Sequence, residues 1–443
     1  MKLNLSLTLT TLAAAMAFGT LPVHAQTIDE MRAEMKKMRE ELNELKKARA
    51  AEAKPADSSG WGDRIEALEV KAKDAVVAGD IGGGLRIPGS ETSLRIYGYA
   101  EAHAIHDFKQ SSSPDLFTDL TFQPLNNSGG QTGKTKFTAE TSRFGFETST
   151  PTSLGTFNTK VEADFYSYGG DNRNRLRLRH AYGEYGGWLI GQTWSTFMDL
   201  DDSPETVDFN TAIGAPFSRR TMIRYTYGDA KAGYKFSFAA EDPEDQFGGG
   251  SANERMPQLV ARFDKTFDWG AINVRALAHE KRSFSQTKRG FGGGVGGSYK
   301  LTDKDLLMGQ YTYVEGDVDQ LYGSNGYSID TDKFDDKGVQ THVGTGAFTF
   351  DKNQGLVLGY ARTFSDQLRG SFVLGFNRGK TALSTIDPLI PDNKTLGQLF
   401  VNLIYSPIKN VELGGEVIYG QRKTFAGDTG TMSRFDLMGR YSF

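Results

Sequence analysis

Ten consecutive residues settle the conformation of the middle of this chain. Phe157, Thr159, Val161, Ala163 and Phe165 fall on one side of an extended strand, and Asn158, Lys160, Glu162, Asp164 and Tyr166 fall on the other. A few positions later Arg175, Arg177 and Arg179 alternate with Leu176 and Leu178. A period of two excludes an amphipathic helix for both segments. Similar runs recur to the C-terminus, and no stretch of about 18 apolar residues is present, which excludes a bundle of membrane helices. It does not exclude a transmembrane barrel, whose strands are apolar on one face only.

The alternation predicts strands over 93–107, 136–149, 155–168, 174–186, 187–196, 218–228, 231–242, 256–267, 270–283, 289–301, 305–316, 354–364, 368–379, 395–406, 410–422 and 431–443. The expected fold is therefore an all-β transmembrane barrel of about 16 antiparallel strands, occupying 91–443. Tight turns such as Gly186-Gly187 and Asp268-Trp269 alternate with long polar connections such as 197–217 and 317–353. That alternation is the pattern of a bacterial outer-membrane protein. The run 338–350 also alternates, but a seventeenth strand would put the C-terminus on the wrong side, so it is expected to be a hairpin inserted in the loop 317–353. The last strand ends on Phe443, with Phe435, Leu437, Gly439 and Tyr441 on the same face. This resembles the signal read by the outer-membrane assembly machinery. Tyr225, Tyr227, Trp269 and Tyr405 lie near the short turns, where an aromatic girdle in contact with lipid is expected.

Before the barrel, residues 1–25 read as a secretory signal peptide, with Val23-His-Ala25 as the cleavage site. Residues 26–80 read as a periplasmic segment. In it Ile28, Met31, Met35, Met38, Leu42 and Leu45 form the seam of a short α-helical coiled coil. Glu34 and Glu41 at g face Arg39 and Lys46 at e of a parallel neighbour, which favours a homo-oligomer over a lone solvated helix.

The face opposite the apolar one carries basic residues: Arg143, Lys160, Arg175, Arg177, Arg179, Arg220, Arg224, Arg262 and Arg275. An arginine turned to lipid costs roughly 2–4 kcal/mol at the bilayer midplane, so these are expected to line the lumen. There they would favour small anionic solutes, unless they only neutralise inward acids. The two sets around 175–179 and 220–224 are expected to meet at a constriction. The acidic loop with Asp199, Asp201, Asp202, Glu205 and Asp208 has three readings, in order: folded inward against the arginines, binding a divalent cation, or a solvated exterior loop.

Several motifs resemble the DcaP-like family of outer-membrane porins. They are Arg143-Phe-Gly-Phe, Thr150-Pro, Leu154-Gly155, Arg179-His-Ala-Tyr-Gly183, Gly191-Gln-Thr-Trp-Ser195 and Asp208-Phe-Asn210. The resemblance implies a homotrimer in the outer membrane of a Gram-negative bacterium that passes organic acids, dicarboxylates among them. Gly292, Gly294 and Gly297 satisfy G-x-G-x-x-G, but no helix follows, so they are read as close strand contacts. No catalytic motif, cofactor motif or metal-ligand spacing stands out, and an enzyme is not expected. The net charge of −4, with basic residues scattered over strands, argues against nucleic acid. The competing function is an envelope tether whose coiled coil reaches toward the cell wall, with an incidental pore.

Overall fold

The computed structural model describes residues 77–109, 118–128, 132–166, 175–243, 254–283, 286–334, 337–383 and 392–443, with isolated helical positions between Lys36 and Lys47. The expected signal peptide and the six seam residues of the coiled coil lie outside the described residues. One compact unit comprises Gly79–Leu85 and Glu91–Phe443 and holds the sheet.

Sixteen long strands, the second of them in two pieces, close that sheet into a barrel. They are β1 (Ser93–Asp107), β2 (Lys134–Thr138 and Arg143–Thr152), β3 (Gly155–Asp164) and β4 (Arg177–Tyr185). Then come β5 (Trp188–Trp194), β6 (Arg219–Asp229), β7 (Tyr234–Glu241), β8 (Gln258–Phe267), β9 (Gly270–Arg282) and β10 (Thr287–Lys300). The last six are β11 (Asp305–Glu315), β12 (Lys352–Ser365), β13 (Leu368–Arg378), β14 (Asn393–Tyr405), β15 (Val411–Thr424) and β16 (Thr429–Ser442). Each pairs antiparallel with the next, and β16 returns to β1 from Arg434↔Asp107 to Ser442↔Tyr99. The ladder is closed, so no edge is left unpaired in the membrane.

Two departures from the expected strands have local causes. β2 is interrupted at 139–142, where Ser142 supplies what the backbone ladder would have given. Its hydroxyl accepts from Glu101 N at 3.0 Å and donates to Glu101 O at 3.1 Å. β4 carries a bulge: Glu162 faces His180 while Ala163 faces Leu178, leaving Arg179 as the extra residue. Arg179 and His180 are consequently both buried, and the alternation resumes one residue out of phase.

The outward face is apolar, with Ile96, Phe146, Leu178, Ile190, Ile223, Phe238, Val274, Leu358, Leu403 and Leu437 exposed. Aromatics gather at the short-turn end, where Trp188 meets Tyr225 at 4.8 Å and Phe267 stacks on Trp269 at 4.7 Å. Between Gly186 and Gly187 the chain turns with φ of 57° and 88°, a pair of left-handed values that two glycines adopt without strain. In the long connection after β11, Tyr327–Ile329 pairs with Phe348–Phe350 and Lys333–Phe334 with Gln340–His342. The ambiguous run is thus an inserted hairpin and not a barrel strand.

The interior is not empty. The connection from β5 to β6, residues 195–218, touches wall strands from β7 to β16, which only a segment crossing the inside of a closed sheet can do. Leu120, Ala212, Ile213, Ala215, Val357, Val373, Leu396, Phe400, Ile418 and Met432 form one apolar cluster there. Leu189, Phe197, Met222, Ala239, Val260, Leu277, Val314 and Leu321 form another.

Closure itself can be tested. Phe443 N donates to Gly98 O at 3.0 Å and Gly98 N donates to Phe443 O at 3.3 Å, the last rungs between the first and the last barrel strands. Deleting Phe443, or Phe443→Asp, is expected to reduce the heat-modifiable barrel recovered from outer membranes. Wild-type recovery would contradict a closing role for that residue.

Candidate functional site

Carboxylates of the wall hold the inserted segment at its start and at its middle. Glu241 on β7 accepts from Ser195 Oγ and Thr196 N, each at 2.7 Å. Glu416 on β15 accepts from Val207 N at 3.0 Å and Asp208 N at 2.8 Å. Between them, Arg275 Nη1 donates to Phe197 O at 3.0 Å, and Asn273 Nδ2 donates to Asp199 at 2.7 Å and Asp202 at 2.8 Å. Arg369 makes a two-pronged contact with Glu205 at 2.8 and 2.9 Å. Further on, Ile213 N donates to Gln398 Oε1 at 3.1 Å, and Ala215 pairs with Tyr322 of the next inserted loop.

Missing side chains let the segment lie this close. A Cβ on Gly296 would stand 2.0 Å from Asp199 Oδ2, one on Gly355 2.1 Å from Gly214 O, and one on Gly375 2.5 Å from Ile213 O. One on Gly359 would meet Pro204 at 2.5 Å. Glycine weakens a strand, but here it opens a seat for the loop, for its backbone at Gly355 and Gly375 and for its side chains at Gly296 and Gly359.

The segment bounds a cavity of about 980 Å³. Arg143, Arg177, Arg179, Arg219 and Arg440 line one wall, with Tyr99, Tyr166, Trp194 and Phe209 between them. Arg177 stacks 4.5 Å over Tyr166, Arg143 lies 5.1 Å over Tyr99 and Arg219 4.4 Å over Trp194. These guanidiniums stand in front of buried acids. Asp164 accepts from Arg177 at 2.7 Å and Arg179 at 2.8 Å. Glu162 accepts from Arg179 at 2.8 Å and lies 3.4 Å from Arg143. Neither acid lines the cavity, and both are buried. Across the cavity stand Asp119, Glu205, Asp208 and Asp319. Glu205 pairs with Arg369, Asp208 lies 3.7 Å from Arg434 and Asp319 bonds Arg220 at 3.0 Å.

A second cavity of about 530 Å³ lies by the Gly186-Gly187 turn, lined by Arg224, Lys235, Arg262, Glu184 and Asp201 among others. The two arginine sets expected to meet are therefore apart. Arg177 and Arg179 face the first cavity and Arg224 the second, while Arg220 is only 1% exposed behind Asp319. Arg175 precedes β4 and is exposed. Lys160 sits 3.1 Å from Glu147. Arg262 and Arg275 hold Asp199, at 3.5 and 3.8 Å, so they secure the loop. The acidic residues are folded in, but the cations they meet are Arg262, Arg275, Arg369 and Arg434, not the row 175–179. Asp201, 74% exposed, lies 3.6 Å from Arg262 at the rim of the loop's contact with the wall.

Sequence reasoning missed Arg219, which the alternation from Arg220 and Arg224 placed outward. It is the first residue of β6, where pairing with Trp194 aims it into the cavity. Arg369 was missed as well, since only the path of the loop makes it a partner.

Two loop carboxyls titrate high. Burial and then the neighbouring Asp199 push Asp202 up to about 6. Burial pushes Asp208 up to about 7, against the pull of Arg434 and with a further push from Glu416. Both values exceed the ordinary carboxylate value of about 3.9, so both groups hold protons more tightly in the seated loop than in a solvated one. Their support for seating is complete below the ordinary carboxylate range and is lost as pH rises through about 6 and about 7. Current fluctuations in bilayer recordings are expected to grow between about pH 5 and about pH 8, and Asp202→Asn to flatten the lower part of that rise. Fluctuations that grow instead as pH falls would contradict this sign.

The model of the DcaP outer membrane protein family matches residues 82–443. The crystal structure of the outer membrane channel DcaP of Acinetobacter baumannii is 27% identical, with a TM-score of 0.70 over 83% of this chain and 100% of that one. Porin Omp2b of Brucella suis biovar 1 (strain 1330) is 26% identical over 298 residues, which is 62% of this chain and 75% of that porin. OmpT of Vibrio cholerae in its trimer form, 11% identical, shares the fold at a TM-score of 0.52 over 80% of this chain and 99% of its own. A closed barrel of sixteen strands, a loop folded through its interior and these relatives agree: the chain belongs to the DcaP outer membrane protein family and is a channel of the Gram-negative outer membrane.

Proposed function

We propose that this channel admits small anionic organic solutes, dicarboxylates among them, along the arginine wall of the larger cavity. One observation carries the reading. Arg143, Arg177, Arg179 and Arg219 line the cavity, whereas the acids that hold three of them, Glu162 and Asp164, are buried behind. Fixed positive charge in front of its counter-charges favours anions, and guanidinium forks suit two-pronged contact with carboxylates. Of the acids of the opposite wall, Glu205, Asp208 and Asp319 are occupied by Arg369, Arg434 and Arg220, and Asp119 accepts from Thr121 N. The inserted segment serves as the constriction, with Asp199, Asp202, Glu205 and Asp208 fastening it.

The same reading extends to the rest of the chain. Residues 1–25 direct export, and 26–80 clamp a homotrimer from the periplasm. The C-terminal strand engages the assembly machinery, and no catalytic step is involved.

The test is charge removal at two cavity-facing positions. Arg177→Gln leaves Asp164 with Arg179, and Arg219→Gln removes a cation that stacks on Trp194. Reversal potentials under a KCl gradient are expected to show an anion-preferring wild type. The double variant should lose roughly threefold or more of its anion-to-cation permeability ratio, less at high salt. A cation-selective wild type, or an unchanged ratio, would overturn the arginine wall as the selectivity element.

A further inference from the structure

The two cavities have three lining residues in common, Trp194, Met198 and Leu200. All three are apolar, while both cavities carry charge: Arg143, Arg177, Arg179 and Arg219 on one side, Arg224, Lys235 and Arg262 on the other. Leu200 is the exposed member, at 46%. It projects from a turn clipped at both ends, since Asp199 at 0% and Asp202 at 1% are buried on Asn273. Ser203 Oγ closes that turn on Asp199 O at 2.5 Å. Met198 is fixed alongside, its carbonyl accepting from Arg262. The fold thus holds a leucine in water, at the place where one charged basin gives way to the next.

We propose that Leu200, backed by Met198 and Trp194, is an apolar septum that sorts anions by what they carry besides charge. The proposal deepens the anion reading above and rests on it. A small inorganic anion passing an apolar ring loses water contacts and gains none in exchange. An organic anion of the same charge can turn its hydrocarbon part toward Leu200 and keep its carboxylate on a guanidinium of either basin. Passage then favours anions with an apolar body over chloride, beyond what their mobilities in water would give. Leu200 is a specificity-determining side chain on this account, and Asp199, Asp202 and Ser203 are its positioning residues.

Planar-bilayer recording with potassium chloride and potassium butyrate as probes tests this in the full-length channel. For the wild type, the bi-ionic butyrate-to-chloride permeability ratio is expected to exceed the ratio of aqueous mobilities. Leu200→Ser should raise KCl conductance by about twofold or more and bring the permeability ratio down to the mobility ratio, as expected when an apolar constriction is wetted. Leu200→Ala, a milder change at an exposed position, should fall between the two. Wild-type conductance and ratio in both variants would overturn the proposal. A rise in conductance with an unchanged ratio would also overturn it, marking Leu200 as a mere obstacle. A cation-selective wild type would sink the arginine-wall reading and not the septum, which is then judged in the same way with potassium and tetramethylammonium.

Discussion

Glu241 and Glu416 accept backbone amide hydrogens from the start and the middle of the inserted segment, and the rest of the interior depends on that grip. A loop leaving a barrel strand has water on both sides and no reason of its own to cross a lumen. Its ordering entropy must be offset by contacts with the wall. Wall carboxylates give its amides charge-assisted partners, which are stronger than neutral ones. Once these points are held, Phe197, Ile213 and Ala215 pack on apolar patches of the wall, Gly355 and Gly375 seat the backbone, and Gly296 seats the Asp199 carboxylate. The two cavities, the exposed place of Leu200 between them and the raised pKa of Asp202 all follow from this crossing.

The same economy shapes the arginine wall. A guanidinium cannot shed its charge, so burying it requires a partner, and removing one member of such a pair is strongly destabilising. Arg220 and Arg275 are of this kind, fully enclosed and committed to Asp319 and to the loop. Arg177 keeps Asp164 at its back and a face toward the cavity. Whether an arginine keeps a face toward the cavity or is spent on the fold is set by which side its acid stands.

The barrel was legible in the sequence because strand alternation is a local property that the bilayer enforces at every second residue. Fifteen of the sixteen strands run unbroken near their expected bounds, and β2 departs because Ser142 replaces a ladder rung. The lumen was legible only as a list. Alternation assigns a side chain to a face, but not to a depth or a partner. It could not separate Arg177 from Arg220, and a single bulge at Arg179 turned His180 inward. Glycine in a strand admits a close neighbour, but nothing in the sequence says that at Gly296, Gly355 and Gly375 the neighbour is the inserted loop. Partners that meet across a closed lumen are set by a path, and the loop's path leaves no periodic trace in its own residues.

That path is the central claim, and the glycines beneath the inserted segment make it directly testable. A Cβ on Gly375 would stand 2.5 Å from Ile213 O, and one on Gly355 would stand 2.1 Å from Gly214 O. Gly355→Leu with Gly375→Leu fills both seats with side chains on strands β12 and β13 and leaves the ladder pairing of those strands in place. For double-variant channel purified from outer membranes and recorded in planar bilayers, single-channel conductance should depart from the wild-type value and current fluctuations should grow as the segment leaves the wall. Wild-type conductance with wild-type steadiness, in a barrel that inserts normally, would contradict a segment seated on those glycines.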